Sequence, residues 1–250
     1  MAPDVPPGLV WYLTEPTRAV VDLGQYAVTR SLLRAAPSGD GHPVLVLPGL
    51  GGADGTTVML RRFLERLGHD VHGWGLGRNL GPSVEVVTGM RERLAELAGS
   101  GRVSLVGWSL GGIFARELAR ERPDLVRQVV TLGSPYAMTD LRQTRVNPFY
   151  QLLSRFYTAG AEMPPPEHTR PPFPVPATSV YSKSDGIVAW QTCVEEPGPR
   201  KENVAVASSH LGYAYNATVL WVVADRLALP EGRWRPFAPP PGMARMFPAA

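Results

Sequence analysis

The sequence predicts an α/β fold, with a mostly parallel, doubly wound sheet and helices on both of its faces. The chain has 250 residues, the size of one large α/β domain. Hydrophobic residues make up 44% of it and charged residues 19%, enough to bury a sizeable core. Short apolar runs alternate with stretches of helical periodicity, and this alternation favours parallel strands joined by helices. We therefore expect residues 1–250 to form a single domain.

The apolar runs that predict strands are short, and turn residues bound them. They are Val44–Leu47, Val71–Leu76, Val103–Gly107, Gln128–Leu132, Thr178–Tyr181 and Val204–Ala207. The predicted helices among them are Thr57–Leu67, Val84–Leu97, Ile113–Arg120 and Tyr213–Leu227. An opening helix over Arg18–Arg34 has apolar residues every three to four positions. We expect that apolar side, which includes Val20, Val21, Leu23 and Leu32, to pack across one edge of the sheet.

Two segments interrupt the alternation of strands and helices. Residues 136–176 form a proline-rich insertion, far longer than the usual connection of ~2–6 residues, and such long loops are usually functional. The insertion leaves the sheet at its carboxyl edge, so we expect it to form a cap there, with a helix over Pro148–Thr158. Residues 230–250 are rich in proline, which predicts an irregular C-terminal tail.

The composition excludes several classes of function. The formal net charge is only +3, and the arginines are scattered among acidic residues, so we expect no nucleic-acid partner. A single cysteine, Cys193, excludes an intrachain disulfide and a cysteine-based zinc site. The residues up to Leu13 lack the basic N-terminal region of a signal peptide. Their apolar stretch is also too short for the core of a signal peptide or for a membrane span. We expect a cytoplasmic protein without stable membrane insertion, and the sequence carries no signal of its oligomeric state.

The six residues Gly107–Gly112 read Gly-Trp-Ser-Leu-Gly-Gly, after a predicted strand and before a predicted helix. A G-x-S-x-G nucleophile elbow requires this strand-turn-helix context. The sharp turn strains the backbone of the serine and places its Oγ at a helix N-terminus, where the N–H groups favour developing negative charge. Ser109 is therefore the candidate nucleophile. The alternative is an ordinary glycine-rich turn between strand and helix.

A second glycine-rich loop, Leu47–Gly52, follows the first predicted strand. In hydrolases with such an elbow, a loop at this place supplies one N–H group of the oxyanion hole. The expected oxyanion donors are therefore the backbone N–H groups of Leu50 and Leu110. A dinucleotide-binding loop is the alternative, but the spacing of Gly49–Gly55 is wrong by one residue and no acidic residue closes a following strand. Gly75, Gly77 and Gly81 follow the next predicted strand, and a dinucleotide-binding loop is likewise the less favoured interpretation of them.

A serine nucleophile needs a base, and the base needs an acid that orients it. His210 follows the last predicted strand, which delivers it to the carboxyl edge near Ser109. The other histidines precede the serine or lie in the insertion, whereas the expected chain order is Ser, acid, His. Asp185 follows the penultimate strand on a tight turn, and Asp140 is the alternative acid. Asp185 or His210 alone is compatible with an ordinary surface loop, and their joint order after Ser109 is what indicates a triad.

These features resemble the α/β-hydrolase superfamily, in particular its lipase- and esterase-like serine hydrolases, over about Val44 to Leu227. The matching segments are the elbow, the strand exit Leu132–Pro135, the acid turn Ser184–Val188 and the loop Ser209–Gly212. The resemblance implies the α/β-hydrolase fold, with Ser109 as nucleophile, Asp185 as acid, His210 as base, and Leu50 and Leu110 as oxyanion amides. One departure is the first loop, where Pro48-Gly49 stands in place of the His-Gly of many relatives.

The resulting prediction is a serine hydrolase that cleaves carboxylic esters through a Ser109 acyl-enzyme. Its expected partner is a small-molecule or lipid ester. The triad itself supplies the nucleophile and the proton transfer, so neither a metal nor an organic cofactor is implied, and no cluster of metal ligands is evident in the sequence. Thioesterase and acyltransferase activities use the same residues and remain alternatives. A further alternative is a non-catalytic α/β-hydrolase scaffold that binds a lipid or a protein.

The side chains expected to contact the substrate are mostly apolar. The predicted helix of the insertion carries more apolar surface than a solvated loop helix should, which suggests an apolar acyl pocket, and plain packing on the domain is the alternative. The tentative substrate-binding residues are Trp108, Phe149, Leu153 and Phe156. Arg78 and Asn79, at the same edge as Ser109, either bind an anionic group of the substrate or form a solvent-facing loop pair.

Overall fold

A computed structural model describes residues 5–145, 165 and 167–248 of the chain. In chain order the helices and strands are α1 (Leu9–Leu13), α2 (Glu15–Leu33), β1 (Pro43–Leu47), α3 (Val58–Arg66), β2 (Asp70–Gly73), α4 (Val84–Leu97), β3 (Val103–Trp108), α5 (Leu110–Glu121), β4 (Val126–Leu132), β5 (Ala177–Tyr181), β6 (Lys201–Ala205) and α6 (Ala217–Leu227). Short 3-10 helices lie at Asp54–Thr57, Ala98–Ser100, Leu141–Gln143, Glu167–Thr169, Trp190–Cys193 and Ala244–Met246. None of the helices within these ranges is long and apolar enough to cross a membrane.

The strands of the described residues form a six-stranded sheet in the order β2-β1-β3-β4-β5-β6, and every pairing is parallel. The chain goes from β1 to β2 in one direction and then returns to the other side of β1 for β3. Ligands of open α/β sheets bind at such a switch point, outside the carboxyl ends of the strands. Ser109 directly follows β3, and Leu50 lies in the loop after β1, so both lie at this edge. The predicted doubly wound, mostly parallel sheet is confirmed.

Helices cover both faces of the sheet, and a large apolar core lies on each face. Along β1, Val44 and Val46 belong to the core shared with α3 and α6, whereas Leu45 and Leu47 belong to the core shared with α4 and α5. All five residues of β1 are buried. A strand covered on both faces reads as a continuous apolar run, which is why the sequence pattern of β1 is so clear.

Helix α2 packs in a different orientation from the one that its sequence predicts. Its apolar residues Val20 and Val21 are 68% and 54% exposed, and Leu23 and Leu32 are exposed as well. The buried residues of the helix are Glu15, Ala19, Asp22 and Leu33. The prediction is wrong because the two carboxylates accept hydrogen bonds from loop N–H groups, and charged acceptors make the stronger hydrogen bonds. Apolar periodicity alone contains no information about such partners.

Several element boundaries differ from the predicted ones for local reasons. Strand β2 ends at Gly73, because the N–H groups of Trp74 and Gly75 donate to Asp54 at 3.0 and 3.1 Å instead of continuing the ladder. Helix α6 begins only at Ala217, because the Asn216 side chain caps it by accepting from the N–H groups of its first turn. Strand β6 lies earlier than expected, over Lys201–Ala205, where it pairs with β5.

The described part of the insertion is anchored by a buried arginine of helix α5. Arg116 is 1% exposed and forms ion pairs with Glu167 and Glu195. Its guanidinium also lies 4.0 Å from the ring centre of Phe173. These contacts tie residues 167–173 to helix α5. The predicted helix over Pro148–Thr158, with Phe149, Leu153 and Phe156, lies outside the described residues.

Candidate active site

Ser109 occupies a strained turn between β3 and α5. Its φ of 53° lies in the left-handed region that residues other than glycine rarely adopt. Such a conformation costs about 1–3 kcal/mol and persists only where the surroundings enforce it. The glycines of the motif allow that packing, because a Cβ at Gly111 would lie 2.3 Å from the carbonyl oxygen of Leu47, and one at Gly112 would lie 1.9 Å from Ser134 Oγ. The motif therefore forms the tight strand-turn-helix that its sequence predicts.

Three side chains predicted to act together lie in hydrogen-bonding contact at the carboxyl edge. His210 Nε2 lies 3.1 Å from Ser109 Oγ, and His210 Nδ1 lies 2.7 Å from Asp185 Oδ2. The other oxygen of Asp185 accepts hydrogen bonds from the backbone N–H groups of Ile187 and Val188 at 2.8 and 2.9 Å. The carboxylate is thus held in one orientation. This arrangement can transfer the proton of Ser109 to His210 and stabilise the resulting imidazolium.

The alternative acid, Asp140, makes different contacts. It forms an ion pair with Arg142 at 2.6 Å and accepts from the Arg142 backbone N–H at 2.7 Å. The hydrogen bonds from Arg142 lower the pKa of this half-buried carboxyl below its ordinary value. The contact between His210 and a carboxylate is made by Asp185 instead.

The pKa of His210 is raised above its ordinary value of 6.5. Burial, the largest single effect, lowers it, because the residue is only 4% exposed and the charged form loses hydration. The charge of Asp185, its hydrogen bond and the charge of Glu15 outweigh that effect. The buried carboxylates therefore make His210 a stronger base than a histidine in water.

Asn79 supports the glycine-rich loop beside Ser109. It is completely buried, its side chain donates to the carbonyl of Pro48 at 2.8 Å, and its backbone exchanges hydrogen bonds with the loop at Gly51 and Gly52. Asn79 is therefore neither an exposed loop residue nor free to bind an anion. It supports this loop through the carbonyl of Pro48 and the backbone of Gly51 and Gly52. The neighbouring Arg78 is exposed.

The two predicted oxyanion donors lie on the segments that flank Ser109. A Cβ at Gly49 would lie 3.2 Å from Ser109 Cβ, so the loop that continues with Leu50 runs directly against the serine. Leu110 is the first residue of α5, and the first N–H groups of a helix have no partner within that helix. The role of the Leu50 and Leu110 N–H groups as oxyanion donors stays a prediction.

Sequence reasoning missed Glu15, a buried carboxylate that contacts both the acid turn and the histidine loop. The residue is 1% exposed. One oxygen accepts from the backbone N–H groups of Gly186 at 2.8 Å and of His210 at 3.1 Å, and the other accepts from Leu211 N–H at 3.2 Å. Arg18, one turn later on α2, forms an ion pair with it at 2.6 Å. Glu15 therefore connects the backbones that carry Asp185 and His210.

Asp22 acts in the same way on the other end of the histidine loop. One of its oxygens accepts from the backbone N–H of Ser209 at 2.9 Å and from its hydroxyl at 2.6 Å. Its other oxygen accepts from the Asn216 side chain at 2.8 Å. Glu15 and Asp22 are seven positions apart on α2, so they lie on one side of the helix. Nothing in the sequence signals contacts with residues almost 200 positions away.

Trp108, one of the tentative substrate-binding residues, contacts the histidine loop. Its indole N–H donates to the carbonyl oxygen of His210 at 3.1 Å, and its ring packs against the core shared with α6. This contact ties the histidine loop to the end of β3. A role of Trp108 in substrate binding stays a prediction.

Comparisons with known proteins agree with this architecture. Residues 83–165 match a family model described as the alpha/beta hydrolase fold. The structure of the metagenome-derived lipolytic enzymes LipS and LipT is similar with a TM-score of 0.56 at 15% identity, over 76% of this chain and 93% of that chain. A pyrethroid hydrolase from Sphingobium faniae JZ-2 gives 0.53 at 18% identity, over 76% and 98%. A thermophilic esterase from Thermogutta terrifontis gives 0.52 at 17% identity, over 76% and 90%. The chain therefore has the α/β-hydrolase fold, and it is similar to lipases and esterases of that fold over about three quarters of its length.

Proposed function

We propose that the protein is a serine hydrolase that cleaves carboxylic esters, with Ser109 as nucleophile, His210 as general base and Asp185 as the acid that orients the base. The observation that carries the proposal is the chain of contacts from Ser109 Oγ to His210 Nε2 at 3.1 Å and from His210 Nδ1 to Asp185 at 2.7 Å. The names of the similar structures, which are lipolytic enzymes, an esterase and a pyrethroid hydrolase, support the same class of reaction.

In the proposed reaction His210 accepts the proton of Ser109 while Oγ attacks the ester carbonyl. The imidazolium is stabilised by Asp185 and then donates that proton to the departing alcohol, which leaves an acyl-enzyme. Water, activated by the same histidine, hydrolyses the acyl group and regenerates Ser109. The N–H groups of Leu50 and Leu110 stabilise the negative oxygen in both steps, and such a donor contributes about 10²–10³-fold in rate.

The first test is covalent labelling with a fluorophosphonate probe, which reacts only with an activated serine. The wild-type protein is expected to be labelled stoichiometrically, and Ser109→Ala is expected to show no labelling. The matched control is Ser100→Ala, which removes the hydroxyl of a serine on the protein surface and should be labelled like the wild type. Labelling that persists in Ser109→Ala would contradict the proposal, and a wild-type protein that resists the probe would favour a non-catalytic scaffold.

A second experiment compares a panel of substrates to determine which acyl chain length and which leaving group the protein prefers. Hydrolysis of a series of esters from acetyl to medium-chain acyl groups is expected to become faster with length, because each buried methylene contributes up to about 0.8 kcal/mol. Thioesters and an added alcohol acceptor in the same panel distinguish thioesterase and acyltransferase activities from simple ester hydrolysis.

The pH dependence of kcat/KM is expected to report the titration of His210. Only the neutral imidazole accepts the serine proton, so activity rises with pH as His210 loses its charge. Because the surrounding carboxylates raise the pKa of His210, the midpoint of the rise is expected above pH 6.5. Glu15→Gln removes one of the negative charges that raise this pKa and is expected to move the midpoint to lower pH.

The matched control for this experiment is Glu92→Gln, which also removes one negative charge but from an exposed position on α4. Its midpoint is expected to equal that of the wild type. A Glu15→Gln profile that superimposes on the wild-type profile would show that Glu15 has no electrostatic effect on the base. Full activity of the wild type well below pH 5 would contradict a histidine base altogether.

A further inference from the structure

A cluster of one carboxylate and two imidazoles lies at the amino ends of the strands, whereas Ser109 lies at their carboxyl ends. It consists of Asp40, His42 and His69, and each offers one ligating atom such that these atoms all lie within 4.8 Å of one another. His42 directly precedes β1 and contacts Ser104 near the start of β3, whereas Ser109 follows the end of β3. Five strand residues at about 3.3 Å each separate the two places by about 16 Å. This cluster takes no part in the proposed hydrolysis.

The register of the sheet brings the two histidines together. Pro43 and Asp70 are paired residues at the start of β1 and β2, so the residues before them, His42 and His69, lie side by side. Their ring centres are 5.0 Å apart with the ring planes at 82°, an edge-on arrangement. The two rings therefore share one small space between the strand starts and the loop that carries Asp40.

His69 is the residue that indicates a ligand. Its side chain belongs to a residue only 5% exposed, and neither ring nitrogen has a hydrogen-bond partner among the described residues. An unpaired buried polar group costs free energy, so such groups are normally satisfied by protein, water or an ion. The ring lies against Gly39, where a Cβ would be 2.7 Å from three of its atoms. The His69 ring therefore packs against the backbone of Gly39, at a position where a Cβ would collide with it.

Asp40 and His42 have the outer contacts that are typical of metal ligands. Arg127 donates to Asp40 Oδ2 at 2.8 Å and leaves Oδ1 directed at His42. The other ring nitrogen of His42, Nε2, lies 2.8 Å from the Ser104 hydroxyl. Metal-binding histidines commonly use their second nitrogen in this way, and such contacts hold the ligand in the required orientation. Because Asp40 is on an exposed loop, its carboxylate can move outward to admit a cation beside His42.

We propose that Asp40, His42 and His69 bind a divalent transition-metal ion such as Zn²⁺, with water in the fourth position. Two imidazoles and one carboxylate are a ligand set that zinc accepts in tetrahedral sites, with bonds of about 2.0–2.2 Å. The ion replaces the proton that Asp40 Oδ1 and His42 Nδ1 share, and it provides a partner for His69. It joins the loop before β1 to the start of β2 and so stabilises this edge of the sheet.

The test uses the full-length protein after treatment with a chelator and dialysis, titrated with ZnCl₂ at pH 7.5 by calorimetry. The wild type is expected to bind one equivalent. His69→Asn and Asp40→Asn are each expected to weaken binding by about tenfold or more, since loss of even a residue that only hydrogen-bonds to a metal ligand costs about 10–100-fold. The matched control is His72→Asn, which removes a histidine of β2 that lies 3.0 Å from Asp70 and outside the cluster. It should bind zinc like the wild type.

Thermal unfolding gives an independent readout. At zinc concentrations about 100-fold above Kd, Tm of the wild type and of His72→Asn is expected to rise by about 5–10 °C, whereas Tm of His69→Asn should not respond. Asp40→Asn, a conservative change on an exposed loop, keeps the test valid if His69→Asn does not fold. The proposal is overturned if the wild type binds no zinc, if both cluster variants bind it as the wild type does, or if binding depends on His72.

Discussion

Ser109→Ala and His210→Ala are each expected to lower kcat for ester hydrolysis by about 10⁶-fold, and the double variant should be no slower than either single variant. The reason is the contact at 3.1 Å between His210 Nε2 and Ser109 Oγ. A serine without its base is a weak nucleophile, and a base without its serine has no proton to take, so the two residues act as a unit. The measurement is single-substrate kinetics of the two single variants and the double variant.

His72→Ala is the matched control, because it makes the same substitution at a histidine outside the candidate site and should keep the wild-type kcat. Thermal unfolding of each variant establishes that the fold is retained, which matters for the buried His210. If the losses of the two single variants multiplied in the double variant, Ser109 and His210 would be acting independently. That result would contradict the proposed proton transfer from Ser109 to His210, even if each variant were slow.

Asp185→Asn is expected to lower kcat by about 10⁴-fold while leaving the fold intact. The structure explains why so small a change has so large an effect. Asp185 Oδ1 accepts from the N–H groups of Ile187 and Val188, so an asparagine keeps its oxygen there and turns its NH₂ group toward His210 Nδ1. His210 Nδ1 then becomes the acceptor, the ring proton moves to Nε2, and the nitrogen facing Ser109 can no longer accept a proton.

Asp140→Asn is the control for this experiment. Asp140 is bonded to Arg142 rather than to His210, so its substitution is expected to change kcat less than about twofold. Steady-state kinetics of both variants with one ester decides between the two carboxylates. Wild-type turnover in Asp185→Asn together with a large loss in Asp140→Asn would show that the acid is assigned wrongly, although the serine hydrolase proposal would stand.

The residues of the candidate triad show which features of the site can be predicted from the sequence. Gly107–Gly112 combine a strand, a strained serine and a helix within a few positions, so the local pattern already contains the geometry of the elbow. Asp185 and His210 were identifiable because each follows a strand, and parallel strands bring their carboxyl ends to one edge. Their mutual contact is set by the strand order β3-β4-β5-β6, which places the loops after β5 and β6 on the side of Ser109.

Glu15, Asp22 and Asn79 show where sequence reasoning stops. Each is a polar residue with nothing unusual in its neighbourhood of the chain, and each becomes informative only through backbone N–H or carbonyl groups of distant segments. The same applies to α2, whose apolar periodicity favours one buried side while its carboxylates select another. Hydrogen bonds from buried N–H groups to these carboxylates are directional, and the N–H groups would be left unsatisfied if the helix turned its apolar side inward, so they fix the orientation of α2.

From the order of its amino acids alone, this chain specifies a doubly wound parallel sheet and the elbow at Ser109, because both depend on periodicities and short motifs. The folded structure decides which buried carboxylates support the acid and histidine loops, and through them it raises the pKa of His210 above its ordinary value. It also decides that His42 and His69 meet beside Asp40, since that depends on the register between β1 and β2. Local steric and hydrophobic preferences act over a few residues, whereas pairing between distant residues exists only once the chain has packed.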